Sequence, residues 1–379
     1  MRFEFATATR IVFGAGTVRE LTAAARQMGR RALLVTGASA ERAMPLVAGL
    51  DTVPFAVNGE PSIELVRRGT VYARAEGCDL VIAIGGGSAI DAGKALAALL
   101  TNPGDPLDYL EVIGRGRPLE NTPAPFIAVP TTAGTGSEVT RNAVLDSPEH
   151  RVKASLRSAA MLPRLAIVDP ELTVTLPRAV TASTGLDALT QLIEPYVSAR
   201  ANAMTDLFCV EGIRRAATAL PGAWDDGRNL EARTSMSWAA LLGGLALANA
   251  GLGAVHGFAA PVGGMFPAPH GAVCAAVLPH AMRINIEALR AREPEGRALQ
   301  RYEELARLLT GNAHATAEEG AKWVGGLVRC FEIPPLRSYG VRNEDIPDLI
   351  EKAARSNSMK GNPIALTTGE LREIAERSI

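Results

Sequence analysis

Residues 80–100 read LVIAIGGGSAIDAGKALAALL, and this stretch decides the fold. Leu80 to Ile84 is a continuous apolar run, as a parallel strand shows when both of its faces are covered. Gly85-Gly86-Gly87-Ser88 breaks it, and Ala89 to Leu100 predicts a helix. A strand that passes through glycines straight into a helix can receive a phosphate, because backbone N–H groups and the helix N-terminus face the anion. Two specific versions of such a loop are excluded. The dinucleotide fingerprint needs a third Gly where Ile90 stands, and a P-loop needs Gly at Ser88 and Ser or Thr at Ala95. A plain tight turn would need one glycine; three of them followed by Ser88 favour phosphate binding.

Outward from this stretch, short apolar runs alternate with amphipathic ones, the pattern of a parallel sheet covered by helices. Strands are predicted at 11–13, 32–35 and 126–129, with a short extended run at 53–57 and extended pieces near 143–145, 152–156 and 165–168. Helices are predicted over 18–28, 40–50 and 63–76, the last capped by Ser62 and closed by Gly77. After the strand at 126–129 comes a second donor-rich loop, Thr131-Thr132-Ala133-Gly134-Thr135-Gly136-Ser137, at the sheet edge where ligands of open α/β sheets sit. Asp91 and Lys94, taken by spacing alone, read as a solvated pair. Beyond Pro177 helical periodicity takes over, which predicts an α/β domain over 1–177 and an all-α domain over 178–379.

A chain of 379 residues exceeds one ordinary core, in keeping with two domains. Its net charge of −1 removes any electrostatic case for nucleic acid or an anionic membrane surface. The four cysteines lack metal-like or redox-like spacing, and no apolar leader precedes Gly14. Free thiols and a cytoplasmic location are expected.

Residues 234–282 contain no Asp, Glu, Lys or Arg, yet hold three of the five histidines. So apolar a run must be buried. Asn249, His256, Pro261, Pro267, Pro269 and His270 interrupt it, so core helices are a better reading than membrane spans. In a predicted helix over 182–200, Asp187 and Gln191 lie four apart on one face, and Pro195 predicts a kink. Two histidines and a carboxylate suit a divalent metal with open positions, notably Fe(II). A network of core histidines satisfied by Asp187 and backbone accounts for the same residues equally well.

Four ordered motifs carry a resemblance: Gly85-Gly86-Gly87-Ser88 with Asp91 and Lys94, Thr131 to Glu138, Gly185-Leu186-Asp187-Ala188-Leu189-Thr190, and Pro269-His270-Gly271. Together they resemble the iron-containing alcohol dehydrogenases over essentially the whole chain. The resemblance implies a dehydroquinate synthase-like fold, an α/β nucleotide domain plus an all-α helical domain. It also implies NAD or NADP and a divalent metal, iron or zinc, in the cleft between them. Gly86, Gly87 and Ser88 would hold the pyrophosphate, with Thr131, Thr132, Asp91 and Lys153 also at the nucleotide. Asp187, His256 and His270 stand at three metal-ligand positions and would be catalytic through the metal.

Two positions depart from the family pattern. Gln191 stands where a fourth ligand, a histidine, belongs, and Ala260 stands where a histidine lies near the nicotinamide. Gln191 either lends a neutral amide oxygen or hydrogen-bonds Asp187 or His256. A weakened metal site is expected. Gly37 occupies the position after the second strand where many relatives carry an Asp at the ribose; with Ser39 and Arg42 nearby, NADP is expected to serve at least as well as NAD.

The activity expected is hydride transfer between a nicotinamide and a small alcohol or aldehyde. A maleylacetate-type reductase of oxo acids and a nucleotide-binding homologue without catalysis are the alternatives. Neither a nucleic-acid nor a membrane partner is expected, and a homodimer is.

Overall fold

The computed structural model describes residues 3–37 and 40–379. Six strands form one parallel sheet in the order β1-β8-β5-β4-β2-β3. They are β1 Ile11–Phe13, β2 Arg31–Thr36, β3 Asp51–Ala56, β4 Leu80–Gly85, β5 Phe126–Pro130 and β8 Leu165–Val168. The alternation within each strand explains why both faces are covered. Leu33, Val35, Val81, Ala83 and Ala128 pack on one side, while Ala32, Leu34, Ile82, Ile84, Ile127 and Val129 pack on the other. The remaining strands, β6 Asn142–Ser147 and β7 Val152–Arg157, pair antiparallel in a separate ribbon. The connection 148–151 is far too short for the crossover a parallel pair would need.

The helices of this half are α1 Leu21–Arg26, α2 Ala40–Ala43, α3 Ile63–Ala75, α4 Gly87–Thr101 and α5 Pro106–Tyr109. Two predicted helices come out shorter. The first opens as a 3-10 turn, Thr17–Glu20, before α1. The second stops at Ala43 and continues as a 3-10 turn, Met44–Val47, because Pro45 lacks the N–H that an α-helix would use there. Ser62 caps α3 as expected, its Oγ accepting from Leu65 N at 3.1 Å.

The other half contains α6 Arg178–Val197, α7 Ala203–Asp225, α8 Leu230–Ala250, α9 Ala254–Met265 and α10 His270–Arg292, then α11 Arg297–Thr310, α12 Ala317–Cys330, α13 Ile346–Arg355 and α14 Thr368–Ser378. By contacts the chain divides into an α/β unit, 5–132 with 136–174, and a helical unit formed mainly by 175–379 that also takes in 133–135. The charge-free run 234–282 becomes most of α8, all of α9 and the first half of α10. Helix α10 is long and apolar enough to cross a bilayer, but 78% of its most apolar window is buried within the protein, and α8 and α9 meet at 98°. That burial is what a core helix shows.

Candidate active site

In the α/β unit, β2 leads to β3 on one side, while β4 returns on the other side of β2. That reversal of direction marks the crevice where open parallel sheets take their ligands. Parallel register pairs Thr36 with Ile84 and Gly85 with Pro130, so Gly37, Gly86–Ser88 and Thr131–Thr132 leave the same sheet edge. Thr131 N donates to Gly85 O at 2.9 Å and ties two of these loops together.

Gly86 is the N-cap of the 15-residue α4 and offers no side-chain cap, so the first N–H groups of the helix are not taken by a capping side chain. A Cβ at Gly86 would lie 3.3 Å from the Thr132 methyl, in the space beside those N–H groups. A cradle that a side chain would crowd, facing uncapped amides and half-buried Ser88, fits a pyrophosphate. Gly37 is half-buried, with nothing among the described residues within 4 Å of its ideal Cβ position. Ser39 lies outside the described residues.

Asp91 and Lys153 are committed within their own unit. Asp91 accepts from Val144 N at 2.9 Å and from the Ser137 hydroxyl, and sits 3.0 Å from Lys94 Nζ. Spacing alone suggested a solvated pair; instead Lys94 is fully buried, donating to Ser137 O at 3.0 Å, Thr140 Oγ1 at 2.8 Å and Asn142 O. The loop after β5 and the start of β6 cover it, and burial lowers its pKa from the ordinary lysine value. Lys153 on β7 pairs with Glu60 at 3.3 Å.

In the helical unit, Asp187 and Gln191 on α6, His256 on α9 and His270 at the start of α10 come together. Asp187 Oδ1 lies 3.5 Å from His256 Nε2 and 3.7 Å from His270 Nε2. Gly271 permits this approach. A Cβ there would fall 2.6 Å from Ser183 O, so only glycine lets α10 begin against the backbone of α6.

Two further residues belong to the cluster and were not singled out by sequence. Cys274 Sγ lies 3.6 Å from His270 Nε2 and 3.8 Å from His256 Nε2, and the ligand atoms of Asp187, His256, His270 and Cys274 all fall within 4.8 Å of one another. Glu194 pairs with His256 Nδ1 at 2.6 Å through Oε2 and accepts from Val255 N at 2.7 Å through Oε1. It thus serves the first turn of α9 and aims His256 Nε2 at the cluster. Gln191 is buried, and its Nε2 donates to Gly134 O at 3.3 Å.

Asp187 Oδ1 is buried and makes no hydrogen bond among the described residues. Burial opposes charge on both imidazoles, but Cys274 and Asp187, joined at His256 by Glu194, outweigh it. They raise His256 well above its ordinary value and His270 to about 8. The Asp187 carboxyl, which burial would push up, is held below its usual range by His270 and His256. The cluster therefore stabilises positive charge, and an unpartnered carboxylate oxygen facing two imidazole nitrogens and a sulfur fits a divalent metal ion.

The sequence model "Iron-containing alcohol dehydrogenase" matches residues 8–170, and that of the family's C-terminal domain matches 181–379. A 1,3-propanediol dehydrogenase of Klebsiella pneumoniae is 38% identical over 323 residues, covering 83% of this chain and 80% of that one. An NAD-dependent methanol dehydrogenase of Bacillus methanolicus is 33% identical over 384 residues, 97% of each. The crystal structure of a 1,3-propanediol oxidoreductase superposes with a TM-score of 0.90 at 33% identity, with 100% of each chain covered. With both halves matched in order over nearly their whole length, the chain belongs to the iron-containing alcohol dehydrogenase family.

Proposed function

We propose that this chain oxidises small, largely uncharged alcohols and reduces the matching aldehydes, using NADP at least as well as NAD, through a metal held by Asp187, His256 and His270. The observation that carries this reading is the orphaned, buried Asp187 Oδ1 between two imidazole nitrogens. When bound, the metal polarises the substrate oxygen and the nicotinamide exchanges the hydride. The protein's own residues do the rest. Gly86, Gly87 and Ser88 hold the pyrophosphate at the α4 N-terminus, with Thr131 and Thr132 beside it. Glu194 keeps a proton on His256 Nδ1, so that Nε2 presents its lone pair. Ala260, one helical turn beyond His256, carries no group that moves a proton, so water or a ribose hydroxyl exchanges it with the alcohol.

The oxo-acid reading would need cationic groups at the substrate. Residues 234–282 supply no Lys or Arg, and neighbouring Arg233 is buried, bonded to Thr181 Oγ1 and the carbonyls of Gly227 and Leu176. The test is steady-state turnover, read by absorbance of the reduced nicotinamide, over a panel of short alcohols, diols, aldehydes and oxo acids. Turnover of uncharged alcohols and aldehydes is expected. Activity confined to oxo acids, or none with any substrate in the metal-loaded protein, defeats the reading.

The coenzyme preference follows from Gly37. Relatives with an acid after the second strand bond the ribose and repel a 2′-phosphate; here that position carries no charge, and the space around it is open. Gly37→Asp is expected to lower kcat/KM for NADP by about tenfold or more while sparing NAD. An unchanged ratio of the two, or a strong preference for NAD in the unaltered chain, would place selectivity elsewhere.

A further inference from the structure

We infer that Cys274 is the fourth ligand of the metal centre, so that the ion is held by Asp187, His256, His270 and a thiolate, a set that selects zinc over iron(II). The inference rests on the metal-assisted reading above and goes beyond it to the ligand set. Gln191, standing where a fourth imidazole was expected, has its amide nitrogen on Gly134 O. Cys274, by contrast, is one turn after His270 on the same face of α10, fully buried, with its sulfur beside both imidazole nitrogens.

The separations match those of a tetrahedral zinc site. Bonds of about 2.0–2.2 Å to nitrogen and oxygen and about 2.3 Å to sulfur give edges of about 3.3–3.5 Å and about 3.5–3.6 Å respectively. The carboxylate–imidazole distances are 3.5 and 3.7 Å, and the sulfur–imidazole distances 3.6 and 3.8 Å. These four of the six edges are already within about 0.2–0.4 Å of what the ion asks, and all four ligand atoms lie within 4.8 Å of one another.

Charge and softness point the same way. A thiolate beside Asp187 gives two negative ligands for a dication, whereas an amide oxygen from Gln191 would leave one. Binding then releases the Cys274 proton, with any proton on the imidazole nitrogens facing the ion, to solvent. Sulfur suits zinc, or cobalt in its place, and such a four-ligand ion would take the substrate oxygen by expanding to five-coordinate, whereas two imidazoles with a carboxylate and open positions suit iron(II).

The experiment loads the metal-free, full-length protein with Co(II) and records its absorption spectrum without any turnover. A stoichiometric complex with a thiolate-to-cobalt charge-transfer band in the near ultraviolet is expected, and X-ray absorption of the zinc form should show one sulfur at about 2.3 Å. In chelator competition, Cys274→Ala should weaken zinc binding by about a hundredfold, and Gln191→Ala should leave it nearly unchanged. Cobalt bound without that band, or a zinc shell of nitrogen and oxygen only, overturns the Cys274 assignment and spares the metal-assisted reading. A protein that takes up neither ion defeats both. The spectrum of the unaltered protein decides the matter even where the Cys274 variant fails to fold.

Discussion

Gly87→Asp is expected to abolish nucleotide binding while leaving the fold intact. Gly87 opens α4, directly after an N-cap that offers no side chain to the helix amides. A carboxylate there takes the electrostatic role that a pyrophosphate would have at the same pole. For the empty protein the change is favourable, since an acid in the first turn stabilises a helix by about 0.3–1 kcal/mol. For the complex it is prohibitive. Two like charges about 4 Å apart repel by about 4 kcal/mol at the effective dielectric of a protein surface, about a thousandfold in affinity, before any steric cost. Titration of NADPH or NADH fluorescence, beside a thermal melt, separates the two effects. Lost binding with an unchanged or raised Tm is the expected pair, and an unchanged dinucleotide affinity would move the pyrophosphate away from α4.

Much of this was legible because strand, turn and helix leave local signatures. Leu80–Gly85 is apolar at every position and became a central strand, and the glycines after it became the N-terminus of α4. Ser62 capped the helix that its position announces. What was not legible depends on partners far away in sequence. Lys94 next to Asp91 looks like a surface pair until the loop after β5 closes over it and supplies Ser137, Thr140 and Asn142. Cys274 has no other cysteine at ligand spacing, yet a mixed site needs none. The usable signal was its place four residues after His270, one turn along a helix. Glu194 likewise follows Asp187 by seven residues, two turns along α6, on the face that Asp187 and Gln191 share. Neither signal says that α6, α9 and α10 meet. That depends on contacts such as Gly271 against Ser183 O, which only the folded chain reveals.

Asp187→Asn is expected to remove the metal and with it turnover, while dinucleotide binding persists. Asn keeps the shape of the side chain and discards the charge, so the effect isolates electrostatics. Asp187 Oδ1 is buried and has no hydrogen-bond partner among the described residues. Its loss deprives a dication of a carboxylate at contact distance in a poorly screened interior, where one such pair is worth several kcal/mol, or about a thousandfold or more in affinity. Thermal denaturation reads this without reference to activity. A ligand present at 100 times its Kd stabilises the folded state by about 2.7 kcal/mol, so zinc should raise the Tm of the unaltered protein and leave that of the variant unmoved. The variant's affinity for NADPH should stay near normal, because Gly86, Gly87 and Ser88 lie in the α/β unit and Asp187 in the helical one. Together with Gly87→Asp, which should retain the metal-induced rise and lose the nucleotide, this makes a double dissociation. Were Asp187→Asn to keep its zinc-dependent stabilisation, the ion would be held elsewhere, and the four donors of α6, α9 and α10 would be a buried hydrogen-bond network.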